Sequence, residues 1–207
     1  MHIPTLRHEN ELRRRGFRLI AGLDEAGRGS WAGPLVAGAV ILDPTKKIPG
    51  VRDSKLLRPM QRAALFEVLT KNVLGWSVGI VSAATIDEIG LGPANRLAFE
   101  LAVANLDVPP DYLLIDALPL PTVPIPSASI VGADRSITSV AAASIIAKVY
   151  RDRLMGQFAE QYPRYGFHRH KGYGTALHHQ MIRRYGVCDL HRKSFKPIER
   201  FLAVRAE

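Results

Sequence analysis

Asp24 and Glu25 stand side by side at the end of the apolar run Leu19-Ile20-Ala21-Gly22-Leu23, directly ahead of Ala26-Gly27-Arg28-Gly29. Carboxylates at a strand end are hard oxygen donors of the kind Mg²⁺ and Mn²⁺ prefer. A glycine-flanked arginine can approach a phosphate or sugar closely, because no Cβ shields the backbone. Asp116 closes a second apolar run, Tyr112-Leu113-Leu114-Ile115, and Asp134 follows in Val131-Gly132-Ala133-Asp134-Arg135, just before a long helical pattern. Four acids gathered at one point repel one another and cost stability unless cations neutralise them. Two divalent ions about 3.5–4 Å apart would do so, one activating water and the other stabilising the leaving oxygen of an in-line displacement at phosphorus. The chemistry these residues point to is metal-dependent cleavage of a phosphodiester.

Each acid also has a plainer reading. Asp116 suits a turn, Asp134 suits a helix N-cap or a pair with Arg135, and Glu25 suits a surface pair with Arg28. Asp152, in Arg151-Asp152-Arg153, reads as a helical ion-pair partner and not as a ligand. The constellation decides for metal, since isolated caps need not cluster at strand ends beside a phosphate-friendly corner.

The elements that must position these residues follow from hydrophobic periodicity. Residues 5–16 are helix-compatible and close on Gly16; 17–23, 33–42 and 74–81 read as strands; a helix lies near 59–71 with Pro59 in its first turn. Helical patterns near 85–89 and 95–106 precede the strand 112–116. The proline-rich loop 119–126, a short strand near 128–131 and a helix over about 137–161 follow. Strands first and βα units afterwards predict an α/β fold with a mixed sheet. Neighbouring strands ending at Asp24 and Asp116 would bring those side chains together. Successive strand residues face opposite sides, so Glu25 is expected to lie already in the turn. Composition turns basic and aromatic near Tyr162-Pro163, which divides a catalytic unit over 1–162 from a basic helical region over 163–207 packed on it.

With 207 residues, 47% of them hydrophobic and 23% charged, the chain suits one globular domain. Lys and Arg total 28 against 19 for Asp and Glu, a net charge of +9 that favours a polyanionic partner. No apolar stretch approaches the ~18 residues of a membrane span, and the N-terminus lacks a signal-peptide core. Cys188, the only cysteine, cannot form an internal disulfide, so a reducing cytoplasmic setting is expected. His168, His170 and His191 with Cys188 lack the paired spacings of a zinc site. A nucleotide-binding reading of Gly27-Arg28-Gly29 fails too: no Gly-Lys-Ser/Thr follows, and the preceding acids would repel a triphosphate. A non-catalytic nucleic-acid binder and a DNA-specific nuclease remain as alternatives.

Five blocks of the chain resemble the type 2 ribonucleases H, specifically bacterial ribonuclease HII. They are the run from Ile20 to Gly29, Asp53-Ser54-Lys55, Leu114-Ile115-Asp116-Ala117, the run from Ala141 to Arg153, and His170-Lys171-Gly172-Tyr173-Gly174-Thr175. The resemblance implies a ribonuclease H-like fold, a mixed five-stranded sheet flanked by helices. It implies a monomer that hydrolyses the RNA strand of RNA–DNA hybrids and incises 5′ to single ribonucleotides in duplex DNA, leaving 5′-phosphate and 3′-OH ends. By that resemblance Asp24, Glu25, Asp116 and Asp134 hold two Mn²⁺ or Mg²⁺ ions, Gly27, Arg28 and Gly29 touch the ribose 2′-OH, and Tyr173 senses the junction. Lys55 is placed at a phosphate, and Ser144 and Lys148, four apart on one helix face, are further substrate contacts. One departure stands out: the family's Lys-Gly-Asp before the fourth acid is Gly132-Ala133-Asp134 here, which leaves a phosphate contact either absent or taken over by Arg135. Basic residues interleaved with Tyr162, Tyr165, Phe167, Tyr173 and Tyr185 suit a nucleic-acid surface.

Overall fold

The structure, a computed structural model, describes residues 3–203. Its centre is an antiparallel pair, β1 (Ile20–Ala26) and β2 (Leu35–Ile41), in register from Ala21 opposite Ile41 to Ala26 opposite Val36. Apolar and small side chains fill β2 and most of β1, and almost every position is buried, because helices cover both faces. β3 (Gly75–Val81) pairs antiparallel with β2; β4 (Tyr112–Asp116) lies parallel to β1, and β5 (Ser127–Ile130) parallel to β4. The order is β3-β2-β1-β4-β5, a mixed five-stranded sheet.

Helix α1 (Arg7–Arg14) precedes the sheet, and α2 (Pro59–Asn72) joins β2 to β3. The crossover to the parallel strands runs through α3 (Ala83–Ile89) and α4 (Leu91–Ala104). The long helix α5 (Thr138–Gln161) covers the opposite face, and α6 (Phe167–His170), α7 (Ala176–Tyr185) and α8 (Lys196–Ala203) complete the chain. One core sets Ala21, Leu23, Ala37 and Ile115 against Ala98 and Phe99 of α4. A second sets Val40 against Ala142, Ala143 and Ile146 of α5 and Phe66 of α2. α5 seats very close to the sheet: a Cβ on Gly38 would lie 2.5 Å from the Ala143 carbonyl oxygen, and one on Gly22 would overlap the Ser139 backbone. Gly38→Ala is therefore expected to push α5 off the sheet and cost about 1–3 kcal/mol, read as a lower urea midpoint at unchanged slope.

Most expected elements stand within a few residues of their predicted bounds. The exception that matters is the first strand. It runs not over 17–23 but to Ala26, because β2 continues the hydrogen-bonded ladder opposite Glu25 and Ala26. Glu25 is thus a strand residue and not a turn residue. Among the described residues no helix is long and apolar enough to cross a membrane.

Candidate active site

β1 and β4 run parallel with Leu23 opposite Ile115, so Asp24 and Asp116 leave the same edge of the sheet side by side. Asp116 Oδ1 accepts the Ala133 N–H at 2.8 Å, which ties the 3-10 turn Ala133–Arg135, and Asp134 within it, to the strand end. Asp24 and Asp134 are each 3% exposed. Side-chain alternation sends Asp24 to the α5 face with Gly22, and Glu25 to the α4 face with Leu23, where Asn95 adjoins it. The acids therefore straddle the sheet edge. Among the described residues no three such side chains already close on a single point, and the alternation of β1 accounts for the separate placing of Glu25.

Their electrostatics nonetheless bind them into one site. Burial raises the Asp24 carboxyl well above its ordinary value, and Glu25, Asp116 and Asp134 push it further. Burial also raises Glu25, against the pull of Arg28, and raises Asp116, against the Ala133 N–H. Such a set of mutually repelling hard oxygens fits a divalent cation.

Lys55 is the counter-charge at hand. Asp53, whose carboxylate accepts the Lys55 N–H at 2.9 Å, caps the short turn Ser54–Leu56, and Lys55 Nζ reaches Asp134 Oδ2 at 3.2 Å. Burial pulls its ammonium down, but Asp134, Asp24 and Asp53 outweigh that and leave its pKa raised. Arg135 lies 3.7 Å from Asp53 on the other side. Ser144 is 2% exposed, donates to the Ala141 carbonyl at 2.9 Å and accepts the Ser54 N–H at 3.1 Å. It ties α5 to the Lys55 turn. Lys148 pairs with Asp152 at 2.8 Å and stands 5.2 Å from the Tyr173 ring centre.

Two buried arginines, not singled out in the sequence, carry the Gly27–Gly29 corner. Arg151 on α5 donates to the carbonyls of Pro34 (2.9 Å), Ala32 (3.1 Å) and Lys171 (2.9 Å) and to Ser30 Oγ (2.7 Å), and lies 5.3 Å from the Tyr173 ring centre. Arg192 donates to the Arg28 carbonyl at 3.0 Å and twice to Gly33. Burial, with Arg151 nearby, lowers Arg192 to about 9. Gly27 has φ +94°, and a Cβ there would strike the Arg151 guanidinium. Glycine at this corner is demanded by tertiary packing as well as by the turn.

Tyr173 belongs to the segment between α6 and α7, which docks on the same corner: Trp31 N–H donates to the Gly172 carbonyl at 2.8 Å. Beneath it His170, His178 and His191 are buried, with Cys188 beside His191. Burial lowers His178 to about 3 and His191 to about 4, so both are neutral in the fold and charged in the unfolded chain below the ordinary value of 6.5. The unfolded state then binds more protons, so stability falls as pH drops below 6.5 and levels off only under those depressed values. The slope is at most about 1.4 kcal/mol per pH unit per ring. Urea unfolding at pH 7.5 and 5.5 should show the loss, and a His178→Asn/His191→Gln double variant should show a shallower one.

A family model described as Ribonuclease HII matches residues 21–198. Ribonuclease HII of Roseiflexus castenholzii is 50% identical over 200 residues, covering 94% of this chain and 89% of the relative. Ribonuclease HII of Acetivibrio thermocellus is 50% identical over 188 residues, covering 91% of this chain and 73% of the relative. In three dimensions the crystal structure of ribonuclease H2 from Pyrococcus horikoshii superposes with a TM-score of 0.78 at 28% identity, covering 92% of this chain and all of that one. Likeness of that extent, in sequence and in the five-stranded sheet alike, places the chain in the ribonuclease HII family, hydrolases of RNA in RNA–DNA hybrids.

Proposed function

We propose that this ribonuclease incises duplex DNA on the 5′ side of a single embedded ribonucleotide as well as cleaving longer hybrids, and that Asp24, Glu25, Asp116 and Asp134 hold two divalent ions, Mg²⁺ or Mn²⁺, for the purpose. The observation that carries the reading is the buried, mutually repelling acid set at the ends of β1 and β4, one corner away from Gly27-Arg28-Gly29. When bound, the ions supply Lewis-acid stabilisation of charge developing at phosphorus. The chain does the rest. Its carboxylates fix where cations and the scissile phosphate sit, and the Lys55 ammonium, at 3.2 Å from Asp134, is placed to meet a phosphate oxygen. The Gly27–Gly29 backbone with Arg28 reads the ribose 2′-OH, the group that distinguishes RNA from DNA. The Tyr173 ring, backed by Lys148 and Arg151, lies against the neighbouring sugar. The products carry 5′-phosphate and 3′-OH ends.

In this reading residues 1–162 are the catalytic unit and 163–207 grip the duplex. An open groove of about 590 Å³ between α7, α8 and Trp31, with Arg183, Arg200 and Phe201 on its walls, suits a polyanionic strand. The protein acts as a monomer in the cytoplasm, removing misincorporated ribonucleotides. The test is cleavage of a labelled DNA duplex carrying one ribonucleotide, beside an all-DNA control, with Mg²⁺, with Mn²⁺ and with chelator. Metal-dependent incision 5′ to the ribonucleotide and none in the control is expected. Cutting of long hybrids alone would remove the junction-sensing role of Tyr173, and tight binding without cutting would leave a non-catalytic binder.

A further inference from the structure

The hydrogen bonds beneath Tyr173 favour one direction. Cys188 N–H can only donate, and it points at His191 Nδ1 at 2.9 Å, closer than the Cys188 carbonyl oxygen at 3.2 Å from the same nitrogen, which assigns a bare Nδ1 and a proton on Nε2. His191 Nε2 faces His178 Nε2 at 3.1 Å, and His178 Nδ1 faces the Tyr173 carbonyl at 3.1 Å, an atom that can only accept. The His178 proton is therefore on Nδ1, and its Nε2 receives the His191 proton. The chain of donation runs Cys188 amide, His191, His178, Tyr173 carbonyl. His170 stacks on His178 with ring centres 4.2 Å apart; it accepts the Gly172 N–H at Nδ1 and donates from Nε2 to the Tyr165 carbonyl at 2.8 Å. Packing alone does not require this. Phenylalanine would fill the same aromatic layer, in which Phe167 already lies 5.7 Å from the His178 ring. Only an imidazole both packs there and passes a hydrogen bond through.

We propose that His178 and His191 are positioning residues: their neutral relay locks the Tyr173 main chain, and with it the angle of the ring, so that the enzyme favours a lone ribonucleotide over a long hybrid. The ring is then held twice, through its backbone by the relay and across its face by Lys148 and Arg151. The inference rests on the reading of Tyr173 given above.

The experiment measures kcat/KM on a duplex with one ribonucleotide and on an RNA–DNA hybrid, and takes their ratio. Tyr173→Ala should collapse the ratio. His178→Leu should lower it about fivefold to tenfold, the effect of one buried hydrogen bond, and His178→Asn, which keeps a donor where Nδ1 was, should return it to within about twofold. His191→Leu and His191→Gln should form a parallel pair, which carries the test if His178→Leu does not fold. Thermal midpoints identify any variant whose ratio reflects unfolding. Nitrogen-15 spectra of histidine-labelled protein should report the Nδ1–H form for His178 and the Nε2–H form for His191; the opposite pattern overturns the relay. A wild-type ratio in His178→Leu with a collapsed one in Tyr173→Ala overturns the relay and leaves the Tyr173 reading standing. Equal losses in His178→Leu and His178→Asn reduce the residue to packing and overturn it too. An unchanged ratio in Tyr173→Ala removes the Tyr173 reading, and the inference falls with it.

Discussion

Asp24→Asn is expected to lower cleavage by about 10³-fold or more while raising the thermal midpoint of the chelator-treated protein. The two effects share one cause. Asp24 is almost fully enclosed, and burial together with three neighbouring carboxylates raises its pKa. A carboxyl whose pKa is higher folded than unfolded releases its proton more readily in the unfolded state. Stability then declines as pH rises above about 3.9 and stays reduced above the folded value. The asparagine oxygen still accepts the Glu25 N–H, bonded at 2.7 Å in the parent, and carries no charge. Removing the repulsion should contribute about 1 kcal/mol. Under the proposed two-ion reading, the same charge should be required in catalysis, since losing several kcal/mol of cation-borne stabilisation at phosphorus is worth about three powers of ten or more. Scanning calorimetry with chelator and with Mn²⁺ separates the two: the ion should raise the midpoint of the parent and leave that of the variant nearly unmoved. A variant less stable than the parent in chelator would show that the acids do not repel as described.

Arg151→Met should unfold the protein more readily by about 4 kcal/mol, near the upper range for a point substitution. Two terms oppose each other. Taking a buried guanidinium away recovers its desolvation cost, which is substantial because no carboxylate lies within 4.0 Å of it among the described residues. Against this, the carbonyls of Ala32 and Pro34 and the hydroxyl of Ser30 lose their donor in a buried region, and the part-buried Lys171 carbonyl loses it as well. Each orphaned group costs about 1–3 kcal/mol, so the losses win. Arg151→Lys should not restore stability, because one ammonium cannot follow the fork of a guanidinium to acceptors on two separate segments. Urea midpoints at pH 7.5 decide the matter. A methionine variant as stable as the parent would mean that desolvation had cancelled the whole hydrogen-bond set. The same variant should also lose activity on every ribonucleotide substrate, since this side chain packs against both the Gly27 corner and the Tyr173 ring.

What the sequence determined was whatever is written within a short window. The run 35–41 is apolar at every position between turn-forming residues, and it is a doubly covered strand. Asp24 and Asp116 each follow an apolar run, and the parallel pairing of those runs sets them side by side. Gly27 lies at a corner that only glycine turns, and the order of strands and helices implies a mixed sheet. What the tertiary structure decided was the fate of polar groups whose partners are far off along the chain. Glu25 is expected in the turn because adjacent strand residues face opposite sides, but the ladder with β2 carries the strand past it. Ser144 shares a helix face with Lys148 in the sequence, but its hydroxyl is engaged by the Ser54 N–H, 90 residues away. Arg151 and Arg192 resemble any solvent-facing arginines, and nothing local marks them as buried. Their acceptors at Pro34 and Arg28 lie 117 and 164 residues earlier. Periodicity is a local property and survives in the linear code; satisfaction of a buried donor depends on which distant carbonyl folding delivers to it.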